Sequence, residues 1–203
     1  MLRSSLIAAL LLSLALGACE PKEPVASGTT PPTAPQAGTT NAPSDCAVRV
    51  EKAWIDQETP LRRYTAEASV SGPTCQQGVA VLTIRAREGS PIFTWSGPTE
   101  YIFGLKDAQD IEAMRGALLD WVDQSSSSMP TTANLPPWEE TEGQPKRAEF
   151  PFHPEAGYDA ASWEALRKSK LDMFCFPQGG ESLDCAALRD GQMETVGLQQ
   201  FPG

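Results

Sequence analysis

Two pairs of cysteines, each straddling a turn signal, constrain this chain more than any other feature. Cys46 and Cys75 flank Asp56 to Leu61, which contains Pro60, and Cys175 and Cys185 flank Gly179-Gly180. A disulfide needs Cα atoms ~5.5 Å apart, the spacing across an antiparallel strand pair. Reflection through a hairpin centred near residue 59 or 60 sets Cys46 opposite residue 73 or 74, next to Cys75. Reflection through Gly179-Gly180 sets Cys175 opposite residue 184, next to Cys185. The expected bonds are therefore Cys46–Cys75 and Cys175–Cys185, one of the possible pairings of four cysteines. A structural zinc site is not supported, because spacings of 29 and 10 residues do not resemble zinc knuckles and the chain has one His.

The hydrophobic pattern agrees with hairpins. Cys46-Ala-Val48-Arg-Val50-Glu-Lys-Ala-Trp54 and Tyr64-Thr-Ala66-Glu-Ala68-Ser-Val70 alternate as half-buried strands do. Val79 to Arg87 and Ile92 to Trp95 read as a third and fourth strand, and Glu100 to Phe103 as a short fifth. Ser-Gly-Pro-Thr occurs at 71–74 and again at 96–99, and is read as a strand-breaking turn in both places. Asp107 to Asp123 is a helix, with Asp107 as its cap and Ile111, Met114, Leu118, Trp121 and Val122 on one stripe. A second helix runs from Asp159 to Lys170 with Ala160, Trp163 and Leu166 inward, followed by strands over 171–176, 183–188 and 193–198. The expected fold class is α+β: an antiparallel sheet from residues 46 to 103, one or two packed helices and a C-terminal, disulfide-pinned β-meander. One sheet and two sheets are both open.

The ends of the chain read differently from this body. Arg3 precedes Leu6 to Leu16, an apolar run of eleven residues broken only by Ser13. That is too short to span ~30 Å of hydrocarbon and fits a signal peptide. It ends Leu16-Gly17-Ala18-Cys19. An aliphatic residue, two small residues and Cys resemble the lipobox of bacterial lipoproteins. The resemblance implies cleavage after residue 18, lipidation at Cys19 and attachment to the membrane through acyl chains. Glu20 follows Cys19, where an Asp would resemble an inner-membrane retention signal, so the outer membrane is expected over the inner. Residues 19–45 then form a Pro- and Thr-rich tether, with Pro at 21, 24, 31, 32, 35 and 43 and no aromatic. Such a segment has too little apolar surface to offset its ordering entropy.

Composition narrows the function. The 203 residues hold 16 basic and 26 acidic side chains, and residues 46–203 alone carry 14 and 23, a net charge of -9. Nucleic acid binding needs a basic surface, so it is excluded as an expectation. The acidity suits a basic protein partner, such as a cationic lysozyme. No G-x-S-x-G, Ser-x-x-Lys, G-x-G-x-x-G or Walker loop is present. His153, between Phe152 and Pro154, therefore has no motif to serve as a catalytic base, and no cofactor or metal is expected. Glu139, Glu140 and Glu142 beside Trp138 could form the paired carboxylates of a glycosidase only in a cleft. Adjacent glutamates on a loop more commonly form a solvated face.

Elimination leaves 124–158. This stretch is long for a structureless connection, and is expected to be either functional or loose. It combines stiff prolines, Trp138, an acidic cluster and the pair Phe150 and Phe152. Trp138, Glu139, Glu140, Phe150 and Phe152 are the candidate binding residues. The expected function is a non-enzymatic, lipid-anchored envelope protein that binds a macromolecule. A small apolar-ligand carrier and a cell-envelope hydrolase are the alternatives. A deep apolar cavity would favour the carrier, a cleft with facing carboxylates the hydrolase, and an exposed aromatic patch the binder.

Overall fold

The computed structural model describes residues 45–55, 63–125 and 127–201. The expected leader, Cys19 and the tether as far as residue 44 lie outside the described residues, as does the 56–62 turn. What is described belongs to one unit, Thr40–Gly203.

Strands β1 (Cys46–Ile55), β2 (Arg63–Gly72), β3 (Val79–Arg85) and β4 (Pro91–Pro98) form an antiparallel meander in chain order. Period-two alternation explains the sheet's two faces. Val48, Val50 and Trp54 of β1 share a buried face with Tyr64, Ala66, Ala68 and Val70 of β2 and Ala80, Leu82 and Ile84 of β3. The other face carries most of the charges, while Lys52, in register with Val50 and Trp54, reaches Asp123. Glu51 and Glu67 stand directly opposite each other, which alone would be repulsive. Arg49 lies 2.8 Å from both, and Glu67 also accepts from Arg85 at 2.9 Å.

The expected fifth strand at 100–103 is instead a 3₁₀ turn over Thr99–Tyr101. Thr99 causes the difference. Its amide donates to the Gly78 carbonyl, while its hydroxyl accepts from the Gly78 amide and donates to the Gln76 carbonyl. The chain is thereby pulled back to the β2–β3 connection. The second Ser-Gly-Pro-Thr also does not stop its strand, because β4 lies at the sheet edge, where Pro98 costs no ladder bond.

The first helix, α1 (Ile111–Trp121), starts later than expected. Asp110 rather than Asp107 caps it, accepting from the Ala113 amide at 2.9 Å. Ala108 is buried in the preceding turn and bonded to Leu105, so the helix begins beyond it. Met114, Leu118, Trp121 and Val122 are buried, and Ile111 is 37% exposed.

The two β regions form two sheets. In the second, the order is β7 (Phe152–Pro154), β10 (Gln192–Gln200), β9 (Ser182–Arg189) and β8 (Met173–Pro177). Both faces of this sheet are covered. Phe174, Phe176, Ala186, Leu188 and Met193 join the core under the first sheet and α1. Phe176 meets Phe93, Trp95 and Trp121 edge-on at centroid distances of 5.9, 5.4 and 6.0 Å. Met173, Cys175, Cys185, Ala187 and Val196 belong to a second core, with Trp163 and Leu166 of α2 (Ala160–Ser169). Gly197 marks the closest approach of β10 to β7. Its φ is 151°, and a Cβ there would fall 2.3 Å from the His153 carbonyl oxygen.

β8 is an outer strand, but its open side is occupied. The Met173 amide donates to the Pro130 carbonyl. The side-chain amide of Gln124 accepts from the Cys175 amide and donates to the Cys175 carbonyl, at 3.2 and 2.9 Å. Pro177 has no amide proton, and its carbonyl accepts from the Trp121 indole at 2.7 Å.

Both disulfides are the expected ones, with Cα separations of 4.9 Å for Cys46–Cys75 and 4.1 Å for Cys175–Cys185. Gly72 is opposite Cys46, so Cys75 reaches back from just beyond β2. Cys175 is directly opposite Cys185, because the turn centres on Gly180.

Candidate functional site

The stretch 124–158 has a third character beyond functional or loose: it is fastened to α2. Thr132 sits at the hub. Its hydroxyl donates to the Leu166 carbonyl and accepts from the Leu171 amide, at 2.8 and 2.9 Å. The Trp163 indole donates to the Pro136 carbonyl at 2.8 Å, and Arg167 donates through Nε to Leu135 at 2.8 Å. Both prolines of Leu135-Pro136-Pro137 lack an amide proton, so their carbonyls are the groups left to bind. Glu164 is gripped by Arg167 and accepts from the Trp138 amide at 3.1 Å. That amide bond, ahead of the Arg167 charge, holds the Glu164 carboxyl below its ordinary range.

This fastening fixes the expected site residues in separate places. Trp138 and Glu139 form β5, paired with β6 (Gln144–Pro145). Trp138 is half-buried, with its ring 6.4 Å from Trp163. Glu139 is half-buried and accepts from the Thr141 hydroxyl, and Glu140 is exposed. Phe152 is buried and packs 5.7 Å from Trp163, so its ring belongs to the second core and not to a surface. Phe150 is 40% exposed and lies 5.0 Å from Phe201. His153 is exposed on β7 and shares a hydrogen bond with Gln200.

Phe150 leads to a surface that the sequence did not announce. Phe103 is 61% exposed and Tyr101, two residues earlier, 63%. Phe103, Pro177, Gly180, Glu181, Leu183 and Phe201 line a groove of about 380 Å³ at the β8–β9 turn. Backbone bonds explain why the rings flank that turn. The Phe103 amide donates to the Gly179 carbonyl at 3.1 Å, and the Phe201 amide to Glu181 at 2.7 Å. Gln178 and Ser182 close the turn through a further side-chain bond of 2.9 Å. A second hollow of about 300 Å³ shares Pro177, Leu183 and Phe201 and continues past Met129 to Asp120 and Asp123. Phe201 follows β10 directly and Phe103 lies beyond the 3₁₀ turn after β4, so no alternation marks them. The only signal is an aromatic beside a turn residue, Gly104 or Pro202.

Two carboxylates depart strongly from ordinary behaviour. Asp123 bonds Lys52 at 2.7 Å beside a hollow of about 220 Å³ with mixed walls, and Lys52, then Ser125, lower its carboxyl to about 2. Asp184 on β9 is pushed up to about 6 by burial and then by the Glu155 charge. One of its oxygens, Oδ1, is buried and accepts no hydrogen bond among the described residues. Neither Asp184 nor Glu155 lines the hollows described here. Among the described residues, no group of three His, Cys, Asp or Glu side chains is arranged to hold a metal ion.

No family model, curated protein sequence or solved structure matches this chain.

Proposed function

We propose that this protein is a non-enzymatic, lipid-anchored component of a bacterial cell envelope that binds a macromolecular partner. Leu16-Gly17-Ala18-Cys19 supports the anchor, and Glu20 supports the outer membrane. Two disulfides support an oxidising compartment such as the periplasm. The observation that carries the binding reading is the aromatic surface of Phe103 and Phe150, both exposed, with half-buried Phe201 against Phe150. Solvated rings of that size gain the most from being covered by a partner. Trp138, Glu139 and Glu140 on the β5–β6 hairpin are a second candidate contact.

The carrier reading draws on the mainly apolar walls of the same groove. It is disfavoured by the exposure of Phe103, since a small ligand's site buries most of the ligand between its walls. The hydrolase reading needs Glu139, Glu140 and Glu142 in a cleft, but none of them lines the described hollows, and neither do Asp184 and Glu155.

Two measurements test the proposal. Cys19→Ser is expected to move the protein from the detergent phase to the aqueous phase, and unchanged partitioning would remove the anchor. Chemical crosslinking of intact envelopes is expected to give a discrete heavier species with the anchored protein. Its absence across crosslinkers of several lengths would remove the partner.

A further inference from the structure

The exposed rings occur beside a particular distribution of charge. Glu181 lines the groove, and Asp120 and Asp123 line its continuation, while no Lys or Arg lines either part. Asp123 is already matched by Lys52. Glu181 and Asp120 are exposed and make no ion pair with any described residue. The two hollows share Pro177, Leu183 and Phe201, so together they form one extended trough, apolar at the Phe103 end and mixed toward Asp120, with unmatched negative charge along it. Its frame is rigid: backbone bonds from Phe103 and Phe201 hold the turn, and the Cys175–Cys185 bond staples the strands beneath it. A preformed trough loses little ordering entropy on binding.

We propose that this trough receives an extended, basic segment of a protein partner. An apolar side chain of that segment lies between Phe103 and Phe201, and its Lys or Arg side chains lie against Glu181 and Asp120. The inference rests on the macromolecule-binding reading and names the surface and the chemistry of the partner. Charge complementarity selects the occupant. A second copy of this chain would bring like charge, since residues 46–203 carry -9. An anionic lipid surface would be repelled by the same two carboxylates. The area around a basic side chain in the trough is partly apolar, which strengthens its attraction to Glu181 over that in open water.

The test uses the full, anchored chain in cells. p-Benzoylphenylalanine replaces Phe103 in one strain and Trp138 in another, and the crosslinked peptide is sequenced after irradiation. Position 103 is expected to crosslink to a partner peptide of net positive charge. In the position-103 strain, Glu181→Lys together with Asp120→Lys is expected to cut the adduct at least about fivefold. Glu88→Lys together with Glu142→Lys, which makes the same charge change at exposed positions outside the trough, is expected to leave it unchanged. Melting curves of each variant verify that it is folded. An adduct on a neutral or acidic peptide, on lipid or on a second copy of this chain would overturn the inference. So would equal losses from the two charge reversals. Adducts at position 138 alone would overturn the trough while leaving the macromolecule-binding reading in place. Adducts at neither position, with no crosslinked species of any kind, would overturn both.

Discussion

The core beneath the first sheet and the core around Trp163 share the β8–β9 hairpin between them, yet they are built by different means. The first is made by repetition. Every second residue of β1, β2 and β3 points inward, and the small side chains of Ala66, Ala68 and Ala80 are fully covered by the opposing layer. The second core has one large side chain, Trp163, ringed by Trp138 and Phe152 from two short strands and Tyr158 from the loop before α2. Those segments are held by directed bonds to Pro136, Leu135, Thr132 and Glu164. Burial of a repeated pattern tolerates single errors. A core assembled on one indole and a few carbonyls does not.

The sharpest way to break this comparison is Trp163→Ala. Removing the central ring is expected to cost ~3–5 kcal/mol. Hydrogen exchange should then show lost protection in α2 and the 130–138 segment, with β1–β3 retained. Uniform loss across the chain would mean that the two cores unfold as one.

A smaller effect is expected at Asp184, on the shared hairpin. Its carboxyl sits at about 6 in the folded chain against an ordinary 3.8. The folded state therefore holds the proton better, so stability falls as pH rises through that window. Asp184→Asn should raise stability by up to ~2 kcal/mol at pH 7.5, the partial exposure of the carboxyl screening the rest, and by well under ~1 kcal/mol at pH 4, read from denaturant titrations. Equal shifts at both pH values would assign the effect to packing.

Trp138→Ala comes next. Its ring is half-buried, so truncation should cost ~2 kcal/mol, between the loss of a core ring and of a surface one. A drop as large as that from Trp163→Ala would make Trp138 a full member of the second core. The least effect belongs to Arg49→Ala on the solvated face of the first sheet, expected below ~1 kcal/mol despite two short ion pairs. A larger loss would show that the outer face, with Glu51 opposite Glu67, is also part of what holds that sheet together.

The same contrast explains what could be read before the structure. Alternation in β1–β3, both helices and both disulfides were legible because each leaves a periodic or reflected signal. The start of α1 was misplaced because Asp107 and Asp110 are equal caps by type, and only the burial of Ala108 decides between them. The fifth strand failed because one hydroxyl, Thr99, redirects the backbone. Of the expected contact residues, Phe152 is interior and Phe150 is at the surface, although only two positions separate them. An extended run would have put both on one face. The bend before β7 removes that rule, since β7 begins only at Phe152. Phe103 and Phe201 were illegible for the opposite reason, being close in space and about a hundred positions apart in sequence.

The Gln124 amide beside Cys175 has a consequence for crowding. A strand's unfilled hydrogen-bonding rim invites the same strand of another molecule, and that invitation grows with concentration. Here a single side chain imitates a peptide unit and occupies the vacant rung. Pro177, which cannot donate, and the indole that takes its carbonyl finish the rim. Copies of this chain can therefore be gathered densely without β8 zipping onto its neighbour, so the sheet ends by its own chemistry and does not depend on a partner to cover it.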